Sequence, residues 1–148
     1  MNELPYEFSL VKKEYRYEFL SVSTVKKVQK VVLLTQTQYP NIYNLALLDT
    51  MENGTLSDIT VTDNNYLKTV LATVIKIIDL FLNENSNSFV IFKGSDDRRH
   101  RLYRIIIGRE LLEIQKSFKV LAIKNNEIIS FSSEIEMDFY LIGKHENN

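Results

Sequence analysis

One change of hydrophobic period, near residue 65, most constrains what this chain can fold into. Before it, apolar residues alternate or run in β-branched blocks. Tyr15, Tyr17 and Phe19 alternate with Arg16 and Glu18, the two-residue period of a half-buried strand. Val28 to Thr35 predicts a more buried strand, Tyr39-Pro40-Asn41 breaks it, and Ile42 to Leu48 resumes extended structure. Asn53-Gly54 is a turn signal because both residues tolerate positive φ, and Thr55 to Val61 reads as a short strand or a loop.

After the change, Leu67, Val70, Leu71, Val74, Ile77, Ile78 and Phe81 recur at helical spacing, with Lys68, Lys76, Asp79 and Asn83 gathered opposite. With Asp63 or Asn64 as its cap, this pattern predicts a helix over residues 65–83. An apolar strand, Phe89 to Phe92, follows an Asn/Ser loop. Ser95, Asp96 and Asp97 then suit a second helix start, over residues 96–116, with acids at the positive end of the dipole. Its apolar residues from Leu102 to Ile114 surround most of a helical wheel, although Ile105-Ile106-Ile107 is also good strand material. Val120 to Ile123 and Ile128 to Phe131 predict a hairpin turning at Asn125-Asn126. Ile135, Met137, Phe139 and Leu141 alternate with Glu134, Glu136, Asp138 and Tyr140, which predicts a last strand, and residues 143–148 read as a frayed tail. Strands, helix, strand, helix and strands in that order favour an α+β fold, a mainly antiparallel sheet with both helices on one face. No linker or repeat divides residues 1–148, so one domain is expected, with its ordered core over about residues 6–142.

Composition narrows the function classes. A net charge of −1 leaves no global field for nucleic acid or an anionic membrane, so anion recognition would have to be local. There is no cysteine, which removes thiol catalysis, disulfides and cysteine-ligated metal sites. The first residues lack an apolar stretch of signal-peptide length, and Leu67 to Leu82 is interrupted by Lys68, Lys76 and Asp79. A cytoplasmic protein with no membrane segment is expected.

Locally, charge is far from even. Of six arginines, all but Arg16 fall between Arg98 and Arg109. The guanidinium group is a planar, always charged fork suited to phosphate or carboxylate. On a helix starting near Asp96, the residues Arg98, Arg101 and Arg104 form a ridge at three-residue spacing. Asp96 and Asp97 would repel an anion from the bare helix terminus, which leaves the side-chain ridge as the candidate seat. The structural alternative pairs these arginines with the chain's own acids, such as Asp49, Asp58 or Glu134.

The remaining candidates are weaker. His100 stands among arginines that disfavour its protonated form, and His145 lies in the tail. Asp49, Glu52, Asp58 and Asp63 surround a turn but lack the alternation of a calcium loop. With no cysteine and no histidine pair, no metal site and no cofactor are expected. Glycine-rich phosphate loops and the nucleophile-elbow motif are absent. The aromatic residues are spread through strands, as core and cross-strand pairs would be.

Three segments carry a family resemblance. They are Asn44-Leu45-Ala46-Leu47-Leu48-Asp49, Asn64-Asn65 with Lys68-Thr69-Val70-Leu71-Ala72-Thr73-Val74, and Gly94-Ser95 followed by Arg99 and Arg101-Leu102-Tyr103-Arg104. In that order they resemble an uncharacterised bacterial family of about this length, frequent in Bacteroidetes, a domain of unknown function. Its most specific block reads Gly-Ser-Thr-x-Ala-Arg-Thr-Arg-Leu-Tyr-Arg, matched here at Gly94, Ser95, Arg99, Arg101, Leu102, Tyr103 and Arg104. This chain departs from it at Asp96, Arg98 and His100. Leu48 replaces a glycine before Asp49, and Tyr66-Leu67 replaces a Gly-Asp pair. The resemblance singles out the arginines as a site and implies no activity.

The expected site is therefore an anion pocket lined by Arg99, Arg101 and Arg104, with Gly94 and Ser95 at its edge and Asp49 opposite. Its ligand would be a nucleotide or an RNA backbone. One alternative is a toxin-like nuclease or nucleotidyl-transfer enzyme, in which Arg101 and Arg104 stabilise phosphoryl charge and Asp49 or His100 handles a proton or Mg²⁺. Another is a protein-interaction module, binding a protein partner or forming a homodimer, in which the arginines are internal salt bridges.

Overall fold

The helical period becomes one long helix, α1 (Asn64–Glu84), within a residue or so of its expected ends. The computed structural model describes residues 5–6, 8–12, 15–22, 27–50, 53–54, 56–57, 64–92, 101, 104–105, 107–108, 111–132 and 134–145. They belong to an α+β domain with a mainly antiparallel sheet and two helical regions, as the element order predicts. Contacts within the chain gather into two compact units. The first comprises residues 2–35 and 45–81, the second 36–44 and 82–148.

The first unit holds β1 (Phe8–Lys12), β2 (Arg16–Val22), β3 (Lys27–Gln36, to Thr35), the later part of β4 (Ile42–Thr50), β5 (Leu56–Ser57) and most of α1. Its strand order is β1-β2-β3-β4, with β5 paired to β4. In the antiparallel β2–β3 pair, Phe19 faces Lys30 and Tyr17 faces Val32. Tyr17, Phe19, Val31, Val32 and Leu34 are buried, as are Val70, Leu71, Val74, Ile77, Ile78 and Phe81 of α1. Each such side chain contributes about 1.5–3 kcal/mol of burial. The buried Thr73 is satisfied on both sides: its Oγ1 donates to Thr69 O at 2.9 Å and accepts from Tyr6 N at 2.7 Å. Tyr15 is not part of the strand that its alternation suggests. It has a φ of +56° and precedes β2. Its carbonyl accepts from Leu34 N at 3.1 Å, and its ring meets Phe81 edge-on with centroids 4.9 Å apart.

The second unit holds the start of β4, then β6 (Phe89–Phe92), the short helix α2 (Leu111–Gln115), β7 (Phe118–Lys124), β8 (Glu127–Ser130) and β9 (Phe139–Lys144). Its strand order is β4-β6-β9-β7-β8. Ile42, Tyr43 and Asn44 pair in parallel with Phe89, Val90 and Ile91. The chain between them includes α1, the long connection a parallel pair needs. The expected hairpin is present: Asn125 and Asn126 turn it with φ of +50° and +65°, the left-handed pair of a two-residue loop.

Two expectations about the carboxy-terminal region are corrected. The alternation from Glu134 to Asp138 is not strand; Ile135 is exposed there and Met137 buried. The strand begins at Phe139 and buries Tyr140, Leu141, Ile142 and Gly143 in succession. β9 is an interior strand, paired at one edge with β6 and at the other with β7, and its consecutive buried residues show that both of its faces are covered, which removes the two-residue period. Gly143 and Lys144, assigned by composition to the tail, are its last residues, paired with Phe89 and Phe118. A Cβ on Gly143 would lie 2.5 Å from the Phe89 ring, so the missing side chain makes room for that ring.

Candidate anion-binding site

Where the second helix was expected, Arg101, Arg104, Ile105, Ile107 and Gly108 are helical, and α2 continues over Leu111–Gln115. The helical outcome at Ile105 and Ile107 resolves the strand alternative for those two residues. Ile107 and Ile114 are buried, which anchors one side of this region. Arg101 and Arg104, three residues apart, are neighbours on the helix surface. Arg101 is exposed and Arg104 half-buried. Arg104 Nε is buried and has no hydrogen-bond partner, alone in this among the described residues.

Arg99, Gly94 and Ser95, the other expected members of the site, lie outside the described residues, as do Arg98 and His100. Among the described residues, neither Arg101 nor Arg104 takes part in an ion pair. The expected pairing with Asp49 or Glu134 is thus not what occupies these two arginines. Glu134 is exposed, and Asp49 has a different cation.

That cation is Lys30. Its Nζ lies 2.7 Å from Asp49 Oδ1, with both side chains about 5–6% exposed. Strand phase explains the pair. Lys30 alternates with the buried Val32 and Leu34 on β3, and Asp49 with the buried Leu45 on β4. Lone opposite charges, each in phase with an apolar face, were the signal that could have found it. A buried charge pair of this kind is held by the cost of leaving either partner alone. Asp49 and Lys30 both belong to the first unit, whereas Arg101 and Arg104 belong to the second.

Other charged groups pair nearer the surface. Arg16 meets Glu18 at 2.9 Å with both side chains half-buried, and Lys76 approaches Asp79 at 3.7 Å one helical turn away. Lys116 Nζ donates to Glu113 Oε2 at 3.0 Å. That hydrogen bond, together with the charge of Lys116, holds the Glu113 carboxyl below its ordinary pKa. Among the described residues, no group of three or more His, Asp or Glu could hold a metal ion. Glu52, Asp58 and Asp63 of the acidic turn lie outside them. No described helix is long and apolar enough to cross a membrane.

Chemically, the half-buried Arg104 and the exposed Arg101 can present forked donors to an oxyanion, one of them, Arg104 Nε, from a desolvated position. Comparison with curated proteins finds no match, and comparison with solved structures finds none either. Residues 2–145 match the family described as "Family of unknown function (DUF6934)", and the chain belongs to that family.

Proposed function

We propose that this protein binds a phosphate-bearing ligand, a nucleotide or an RNA backbone, through Arg101 and Arg104. The family resemblance adds Arg99 to these contacts and puts Gly94 and Ser95 at the edge. The observation that carries the reading is Arg104 Nε, a charged group's donor that is buried without a partner. Leaving such a donor unsatisfied costs about 1–3 kcal/mol, which a bound oxyanion would restore as a charge-assisted hydrogen bond. Arg101, one turn away and exposed, supplies charge at the entrance. Binding is favoured over phosphoryl transfer because Asp49, the carboxylate such chemistry would draw on, is committed to Lys30.

Thermal unfolding with nucleotides and short RNA, with and without Mg²⁺, tests this for wild type, Arg101→Ala and Arg104→Ala. A ligand at one hundred times its Kd should stabilise the wild type by about 2.7 kcal/mol. That gain should vanish in variants that still unfold cooperatively. No shift with any of these ligands, or an equal shift in folded variants, refutes the reading.

A further inference from the structure

A second polar site lies in the same unit, on residues the arginine reading does not use. The loop after α1, the start of β6, the turn before β7 and the end of β9 together line an open cleft of about 560 Å³. That volume is in the range of small-molecule sites. Its polar lining is Ser86, Asn87, Ser88, Ser117, Lys144 and His145, and its apolar wall is Phe89.

Three features define what would fit. First, no hydrogen bond or ion pair within the described residues engages the side chains of Ser86, Asn87, Ser88, Ser117 or Lys144. Serine hydroxyls and the asparagine carboxamide both donate and accept, which matches ligand hydroxyls better than a bare oxyanion that can only accept. Second, Lys144 is the one lining residue of fixed charge among the described residues, and no described carboxylate lines the cleft opposite it. One ammonium matches one carboxylate. His145 is oriented by its Nε2, which donates to Gln115 O and so leaves Nδ1 for a ligand. Third, Gly143 gives the Phe89 ring its room in the sheet and so supports an apolar surface beside the donors. An aromatic wall next to hydroxyl-matching groups suits the C–H face of a polyol.

We propose that this cleft binds a small polyhydroxylated monocarboxylate, of the sugar-acid class. Lys144 takes the carboxylate, Ser86, Asn87, Ser88 and Ser117 bond the hydroxyls, and Phe89 packs against the carbon chain. This site is independent of Arg101 and Arg104, so either proposal can fail without the other.

The test is an amide-resolved NMR titration of the ¹⁵N-labelled protein with gluconate and glucuronate. Glucose, inorganic phosphate and sodium chloride serve as controls. Saturable shifts should appear at Ser86–Phe89, Ser117, Lys144 and His145. Lys144→Gln, which keeps most of the aliphatic stem, should weaken affinity about tenfold, and Ser117→Ala should weaken it severalfold. Lys76→Gln, at an exposed position outside the cleft, should leave it unchanged. The proposal is overturned if neither sugar acid gives saturable shifts there, if both cleft variants bind like wild type, or if phosphate or glucose binds the same residues as tightly.

Discussion

Two basic positions in this molecule are handled in opposite ways. Lys30 is almost fully buried and meets Asp49 at 2.7 Å, whereas Arg104 keeps a buried Nε with no hydrogen-bond partner among the described residues. Arg101, beside it, is exposed and equally unpaired among the described residues. A charge that the protein neutralises itself has a role completed by folding. A guanidinium Nε left buried and unsatisfied is, on the proposed reading, a donor that a ligand completes. The strand pair thus reads as architecture; if the helical pair serves recognition as proposed, the two should respond to mutation with opposite sign.

The largest effect is expected at the strand pair. Asp49→Ala leaves Lys30 buried with its countercharge gone, and urea unfolding should show a loss of about 3–5 kcal/mol. Replacing both partners, as in Lys30→Met with Asp49→Leu, removes the uncompensated charge and should recover most of that loss. If the double variant is as unstable as the single one, the pair is not the unit that matters and the contrast with Arg104 fails at its first term.

The same contrast marks how far the sequence could be read. The period change near residue 65 located α1, and the paired asparagines at 125 and 126 located a hairpin, because both signals are local. Lys30 and Asp49 were each visible as a charge in phase with an apolar face. Their pairing joins residues on two strands, and no local period reports it. β9 was misplaced for a related reason. Both of its faces are buried, so the strand itself carries no alternation, and the alternating stretch before it ends where the strand begins. The arginine cluster was legible as composition, and the orphaned Nε of Arg104 was not, since it depends on what packs around the helix.

Arg104 supplies the opposite sign. Arg104→Leu removes the unsatisfied donor while keeping apolar bulk, so stability should rise by about 1 kcal/mol as ligand-dependent stabilisation disappears. Arg101→Ala, at an exposed position, should change stability by less than about 0.5 kcal/mol while weakening the same ligand effect. Denaturant titrations with and without nucleotide separate the two quantities. A loss of several kcal/mol in Arg104→Leu would place this residue with Lys30, as a structural cation.

The smallest effect belongs to a third case, Glu113 and Lys116, where the charges are paired but lie in solvent. The hydrogen bond from Lys116 and then its charge hold the Glu113 carboxyl below its ordinary pKa. A carboxylate whose folded pKa is depressed adds stability above its unfolded pKa, and that contribution fades as pH falls through the folded value. The strand pair draws its strength from exclusion of water, whereas this pair has water as a competing partner for both groups. A ¹³C titration of the Glu113 side chain should therefore give a midpoint below that of an unpaired glutamate, and Lys116→Met should return it to the ordinary range. The unfolding midpoint of Lys116→Met should stay close to wild type at neutral pH. A Lys116→Met variant as unstable as Asp49→Ala would mean that pairing alone, without burial, sets the cost of breaking a charge pair in this fold.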